Sequence, residues 1–151
     1  MEELISKLRL LQANAFIYYT KAHGYHWDVE GILFEQFHSM FKDLYEDLWG
    51  SVDDYAEWLR KLGSKASFDV MSVLSTSNIK YDLGPEESNP IPMLQSLYNS
   101  NLLMIGDLKI SFDYANNVNE QGLADYIAGR IDAHQKWGWR LSASLKSMVN
   151  G

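Results

Sequence analysis

The three prolines of this 151-residue chain all lie between positions 85 and 92. Proline disrupts the interior of a helix, so its confinement to one short window leaves the stretches on either side free to form long helices. In both stretches, apolar residues recur at every third or fourth position, which is the period of an amphipathic helix. We therefore expect a loop around the prolines and long helices before and after it.

The apolar pattern predicts four long helices, whose apolar stripes cover residues 4–22, 33–62, 94–115 and 123–148. The breaks at residues 28–31 and 116–122 are short, so the first two helices and the last two should each form an antiparallel hairpin. The connection between the hairpins, residues 63–92, is much longer. Its apolar segment, residues 68–74, should form a short extra helix that packs on the bundle.

Size and composition agree with one globular domain. Hydrophobic residues make up 46% of the sequence and charged residues 22%, which is typical of a chain that buries a single core. The predicted fold is therefore all-α: residues 1–151 form one four-helix bundle with one long crossover that carries a short extra helix.

The composition also limits the chemistry of the chain. It has no cysteine, which excludes disulfides, thiolate zinc sites and iron–sulfur clusters, so any metal must be held by oxygen and imidazole ligands. Acidic residues outnumber basic ones by 20 to 13, and the net charge of -7 disfavours binding to nucleic-acid phosphates and favours collecting cations. The acidic N-terminus and the lack of a long apolar run predict a cytoplasmic protein with no membrane contact.

Two carboxylates and two histidines have a spacing that suggests a metal site shared between chains. Asp53 and Glu57 stand at i and i+4 on one helix face, where they can chelate a cation, although such pairs also occur on solvated faces. His38 precedes Asp53 by 15 residues, which is about 22 Å along a helix. If these side chains and His26 form one centre, the histidines of one copy must meet the carboxylates of another across a two-fold axis.

An intramolecular di-iron site has little support from the sequence, because bundles with such sites carry Glu-x-x-His on two helices. Here the motif occurs once, at residues 35–38. We expect the two remaining histidines not to be ligands: His23 should have a plain polar role, and His134 should be a hydrogen-bonded core residue.

Several segments resemble the signature of the Dps family of mini-ferritins, in the ferritin-like superfamily. The resembling segments reach from the first predicted helix to the fourth: residues 22–31 (AHGYHWDVEG), Phe34, residues 37–38 (FH), 53–57 (DDYAE), 62–63 (LG), 124–127 (ADYI), 130–132 (RID), 134–136 (HQK) and 139–141 (WRL). The joint spacing of the histidines and carboxylates is far more specific than any one segment.

The resemblance implies a hollow dodecamer that oxidises Fe(II), preferably with hydrogen peroxide, stores Fe(III) and so protects against oxidative damage. It also implies ferroxidase sites at two-fold interfaces, in which His26, His38 and Asp53 are ligands and Glu57 bridges. Imidazole and carboxylate suit Fe(II), and zinc is a substitute occupant of such a set. Trp27 matches a family tryptophan that lies near the iron and quenches radicals; the alternative is core packing.

One position departs from the family pattern. Four residues after the second histidine, where family members usually carry Asp, this chain has Lys42. An ammonium there removes a ligand for a second iron and adds positive charge where a cation should bind. Asp43 lies about 100° further round the helix and cannot simply replace that ligand. We expect one good metal position per site, with oxidation slowed or lost.

The resemblance leaves two further expectations. Glu120 and Asp125 match acidic residues that line three-fold iron-entry pores, but acidic residues near a helix N-terminus also stabilise the helix dipole. DNA binding is doubtful because the chain has no Lys/Arg-rich tail and its charge is negative, so the chain should repel DNA unless divalent cations bridge the two. The alternative function, favoured by Lys42, is a cage with a degenerate site that sequesters metal or serves as a structural shell.

Overall fold

The computed structural model describes the backbone of residues 1–149 and the side chains of residues 1–146, and it confirms the all-α fold. Its helices are α1 (Glu2–Asp28), α2 (Phe34–Lys61), α3 (Val70–Thr76), α4 (Pro90–Asn117) and α5 (Gln121–Val149). The helices α1 and α2 form one hairpin, α4 and α5 form the other, and α1 packs against α4. The crossover between the hairpins carries α3, which contacts α1.

Two prolines that we predicted to lie in the crossover belong instead to α4. Pro90 is the first residue of this helix and Pro92 lies in its first turn. The side chain of Asn89 caps the helix by accepting a hydrogen bond from the backbone N–H of Ile91 at 3.0 Å. Proline fits there because the first N–H groups of a helix have no partner within it. The crossover therefore ends at residue 89.

The short helix α3 begins at Val70, not at Phe68 as the apolar pattern predicted. The carboxylate of Asp69 caps it, accepting hydrogen bonds from the backbone N–H of Ser72 at 3.0 Å and from the Ser72 hydroxyl at 2.6 Å. Phe68 precedes this cap and packs edge-on against Phe16 of α1, with ring centroids 5.3 Å apart. The predicted packing of this helix on the bundle is correct.

A buried lysine ties the crossover to the bundle. The ammonium of Lys21 on α1 donates to the carbonyl of Lys80 at 3.0 Å, to the hydroxyl of Ser100 at 2.8 Å and to the carboxylate of Asp82 at 3.2 Å. Burial lowers the pKa of Lys21, and the attraction of Asp82 opposes that shift. These contacts fix the crossover against both α1 and α4.

The centre of the bundle holds a polar network. Arg130 donates to both carboxylate oxygens of Asp47, at 2.9 and 3.0 Å, and the indole N–H of Trp137 donates to the same carboxylate at 3.1 Å. His134 is fully buried, and its Nδ1 lies 2.8 Å from Oδ1 of Asn101. Burial, together with the Arg130 charge, lowers the pKa of His134 to about 3 and keeps it neutral. The prediction that His134 is a hydrogen-bonded core residue is confirmed.

Candidate metal centre

The two predicted histidine ligands lie side by side where α1 meets α2. The rings of His26 and His38 stack with their centroids 3.7 Å apart and their planes 14° from parallel. Nδ1 of His26 is 2.6 Å from the carbonyl oxygen of His38, and Nδ1 of His38 is 2.7 Å from the carbonyl oxygen of His26. The helix ends thus join through a reciprocal pair of hydrogen bonds.

This exchange of hydrogen bonds defines which nitrogen of each ring carries a hydrogen. A carbonyl oxygen can only accept, so each Nδ1 must carry the proton and donate. In the neutral imidazole, Nε2 then keeps its lone pair. A hydrogen bond from the other ring nitrogen is also what orients histidine ligands in metal sites. Each of the two rings therefore presents an Nε2 lone pair that its own hydrogen bond does not use.

The predicted carboxylate ligands lie on the exposed face of α2 and have a third acidic neighbour. Asp53, Asp54 and Glu57 each offer an oxygen within 4.8 Å of the others, which is close enough for one cation. Sequence reasoning missed Asp54, although its i, i+3 relation to Glu57 places it on the same side of the helix. The hydroxyl of Tyr126 donates to Asp54 at 3.1 Å. Asp53 and Glu57 make no hydrogen bond or ion pair within the described part of the chain.

A single chain does not bring the two halves together. The acidic group on α2 includes no histidine. His38 and Asp53 lie 15 residues apart on the same helix, which is about 22 Å. Each chain therefore presents an imidazole half near one end of α2 and a carboxylate half toward the other.

The side chains around Lys42 have partners of their own. Its ammonium lies 4.0 Å from the carboxylate of Glu46, and both side chains are exposed. Asp43 faces α5 instead, with its carboxylate 3.9 Å from the guanidinium of Arg140. Asp43 is thus directed away from the position that Lys42 occupies.

Trp27 does not pack in the core, which overturns the packing alternative. Its side chain is 65% exposed, and its ring lies 4.0 Å from the ring of His23. His23 contacts the hydroxyl of Tyr19 through Nδ1 at 2.8 Å. Burial, and then electrostatic repulsion between the two imidazoles, lower the pKa of His23 beside His26. Trp27 therefore lies on the surface beside the imidazole half.

The two candidate pore residues lie at the start of α5. Glu120 immediately precedes the helix, and its carbonyl accepts from the backbone N–H of Ala124 at 2.9 Å. Asp125 is exposed one turn further along. Both positions suit the positive end of the helix dipole, so their placement agrees with the dipole alternative as well as with a pore lining.

Comparison with known proteins agrees with the fold. The ferritin-like domain family matches residues 5–149. General stress protein 20U of Bacillus subtilis (strain 168) is 31% identical over 144 residues, which cover 95% of this chain and 98% of that protein. The DNA protection during starvation protein of Brevibacillus brevis is 29% identical over 147 residues, covering 97% of both chains.

Solved structures share the same architecture. A Dps protein from Bacillus brevis superposes with a TM-score of 0.90 at 26% identity, covering 95% of each chain. The Dps protein of Vibrio cholerae O1, described as a member of a broad superfamily of ferritin-like diiron-carboxylate proteins, has the same fold, with a TM-score of 0.90 at 24% identity over 95% of this chain and 89% of that one.

The domain match and the bundle define a ferritin-like protein. Within that class, the whole-length relatives and the fold place the chain more narrowly: it belongs to the Dps family. Among the described residues, none of the helices combines the length and apolar composition needed to cross a bilayer.

Proposed function

We propose that this protein oxidises Fe(II) at sites shared between two subunits and stores the Fe(III) product inside a hollow dodecamer. The observation that carries the proposal is that the histidines and the carboxylates of one chain lie too far apart to bind the same metal. Two imidazoles with free Nε2 atoms lie about 22 Å from two carboxylates on the same hairpin, and these carboxylates have no partner among the described residues. A two-fold axis that sets two α2 helices antiparallel would complete two sites at once.

The donor set suits iron as the substrate. In each site, His26 and His38 would come from one subunit and Asp53 and Glu57 from its mate. Carboxylate and imidazole together bind Fe(II), and a set of three or four ligands leaves coordination positions open for peroxide or oxygen. Asp54 is held by Tyr126 and would orient the acidic group rather than bind metal.

The charge of the chain supports iron removal as the protective mechanism. A subunit with a net charge of -7 would repel the DNA backbone, and we infer no direct DNA binding. Glu120 and Asp125 would line the entry pores of the dodecamer and attract Fe(II). By consuming Fe(II) and peroxide together, the protein would protect DNA in the cytoplasm without contacting it.

A titration with Fe(II) under air and with peroxide tests this proposal. We expect oxidation faster than in buffer alone and, on size exclusion, iron that co-elutes with an assembly much larger than a dimer. Absence of catalysed oxidation, together with an iron-free assembly peak, would instead support the second candidate, an inert or metal-sequestering shell. Lys42 is the observation that favours this alternative, because its ammonium lies one turn from His38.

Replacing Lys42 by Asp should strengthen the site. The change removes a positive charge and adds a carboxylate, so binding should rise from about one iron per site toward about two, and oxidation should speed up. Anaerobic Fe(II) titration and stopped-flow absorbance measure the two effects. Lys109→Asp makes the same charge change on the exposed face of α4 and should change neither. Unchanged iron binding in Lys42→Asp would show that residue 42 does not lie at the second position.

A further inference from the structure

A row of oxidisable rings runs along the α1–α2 hairpin between the two halves of the metal site. The rings of Tyr45 and Tyr19 have centroids 6.0 Å apart, and the rings of Tyr19 and Trp49 have centroids 4.9 Å apart. This chain has no cysteine, and among the side chains that it does have, tyrosine and tryptophan most readily lose a single electron. We call Tyr45, Tyr19 and Trp49 the aromatic row.

Both ends of the aromatic row reach a proposed metal ligand. At one end, the ring of Tyr45 lies 5.2 Å from the ring of His26, measured between centroids. At the other end, Trp49 precedes Asp53 by one helical turn, and the two residues line the same surface groove. The row therefore covers most of the distance between the imidazole half and the carboxylate half of one chain, and one helical turn separates Trp49 from Asp53.

Tyr19, in the middle of the row, has a neighbour that can accept its proton when the ring loses an electron. The hydroxyl of Tyr19 lies 2.8 Å from Nδ1 of His23. The ring of His23 stacks on Tyr45, with centroids 3.8 Å apart and planes within 10° of parallel. When Tyr19 is oxidised, its proton can pass to His23, and it returns when the ring is reduced.

We propose that the aromatic row conducts single electrons between the two iron sites of a dimer, an inference that rests on the proposed function. In a two-fold dimer, the histidines of one chain belong to one site and its carboxylates belong to the other. The row of each chain would therefore connect the two sites. No ring of the partner is needed for this connection.

This connection would supply the second electron that the reduction of hydrogen peroxide requires. Reducing hydrogen peroxide to water takes two electrons, whereas one Fe(II) supplies one. With Lys42 at the second position, each site holds one good iron, and peroxide reacting there would form Fe(III), hydroxide and a hydroxyl radical. An electron from the row would reduce that radical to hydroxide, and Fe(II) at the other site would refill the row. The sum is one H2O2, two Fe(II) and two protons giving two Fe(III) and two waters.

Replacing Tyr19 by Phe tests this route, because the change keeps the ring and removes the oxidisable phenol. We expect anaerobic Fe(II) binding to stay at the parent level. On adding peroxide, the yield of a hydroxyl-radical spin adduct per peroxide should rise severalfold. The ratio of iron oxidised to peroxide consumed in the first fast phase should fall from two toward one. Rapid-freeze electron paramagnetic resonance should show a tyrosyl signal in the parent that is weaker in Tyr19→Phe.

A matched control separates the row from tyrosine in general. Tyr98 lies half-buried on α4, and Tyr98→Phe should behave as the parent in every measurement. Tyr45→Phe breaks the row at another point and should reproduce the effect of Tyr19→Phe. Parent-like radical yield and stoichiometry in both row variants, with iron still oxidised, would overturn this inference alone. A parent protein that neither binds nor oxidises Fe(II) would overturn the proposed function and the inference with it.

Discussion

Replacing Asp53 by Asn and Glu57 by Gln in the same chain should slow peroxide-driven Fe(II) oxidation by more than about 100-fold. Loss of a residue that only orients a metal ligand already lowers metal affinity or activity by about 10- to 100-fold, and the loss of two ligands should cost more. The two substitutions remove the anionic oxygens that would bind Fe(II) while keeping side-chain shape. Both residues are exposed and bond to no described residue, so the helix itself should not be weakened. Stopped-flow absorbance of Fe(III) formation measures the rate.

A second acidic pair provides the control for this variant. Asp113 on α4 and Asp132 on α5 are exposed, and Asp113→Asn/Asp132→Asn removes the same charge away from the site. We expect this control to oxidise iron at nearly the parent rate. If both double variants lost activity equally, the carboxylates of α2 would act through general acidity of the surface and not as ligands.

Replacing Asp47 by Ala should lower the free energy of unfolding by about 2–3 kcal/mol, because the mostly buried Arg130 would lose its charged partner. Asp47 itself is about one third exposed, which keeps the cost below that of a fully buried pair. Arg130 would lose both of its short hydrogen bonds, and the indole N–H of Trp137 would lose its acceptor. Denaturant unfolding at one fixed protein concentration measures the change, because assembly also contributes to stability.

The exposed pair Lys42–Glu46 supplies the comparison for Asp47. Its charges are 4.0 Å apart and more than half exposed, so Glu46→Ala should cost less than about 1 kcal/mol.

The stability of the parent and of Asp47→Ala should also depend differently on pH in acid. Burial alone would raise the pKa of Asp47, but Arg130 holds it below its ordinary value. The stability from this lowered pKa is present above about pH 4 and is lost as the pH falls through the folded value, so Asp47→Ala should show less of this loss. An equal loss of unfolding free energy in Glu46→Ala and Asp47→Ala at neutral pH would contradict the stabilising role of the partly buried Asp47–Arg130 pair.

The helices could be predicted from the sequence because each buries one apolar face, and the apolar residues of that face recur with the helical period. Boundaries were less predictable where capping decides them. Proline disrupts the interior of a helix, but Pro90 is compatible with the first position of α4. Asn89 caps that end, and a residue at the first position needs no N–H donor. Val70 begins α3 because Asp69 caps it, whereas the apolar pattern starts two residues earlier.

The pairing of the site residues followed from spacing, but their local environment did not. The 15-position separation of His38 and Asp53 predicts two separate halves, and the structure places both residues at that separation on α2. The exchange of hydrogen bonds between His26 and His38 depends on how α1 meets α2, which no short motif encodes. The aromatic row likewise joins residues from two helices, and only the packed hairpin aligns Tyr19 with Tyr45 and Trp49.

The central claim is that each iron site takes its histidines from one subunit and its carboxylates from another. Complementation between two inactive variants tests it most directly. One variant carries His26→Gln and His38→Gln, and the other carries Asp53→Asn and Glu57→Gln. Each alone should be inactive, but mixed dimers would rebuild one of their two sites.

After equal amounts of the two variants are dissociated and reassembled together, half of the dimers should be mixed. About a quarter of all sites should then be intact, and about a quarter of the parent oxidation rate should return. A mixture as inactive as its components, although mass spectrometry shows mixed assemblies, would contradict the shared site and place the iron within a single chain.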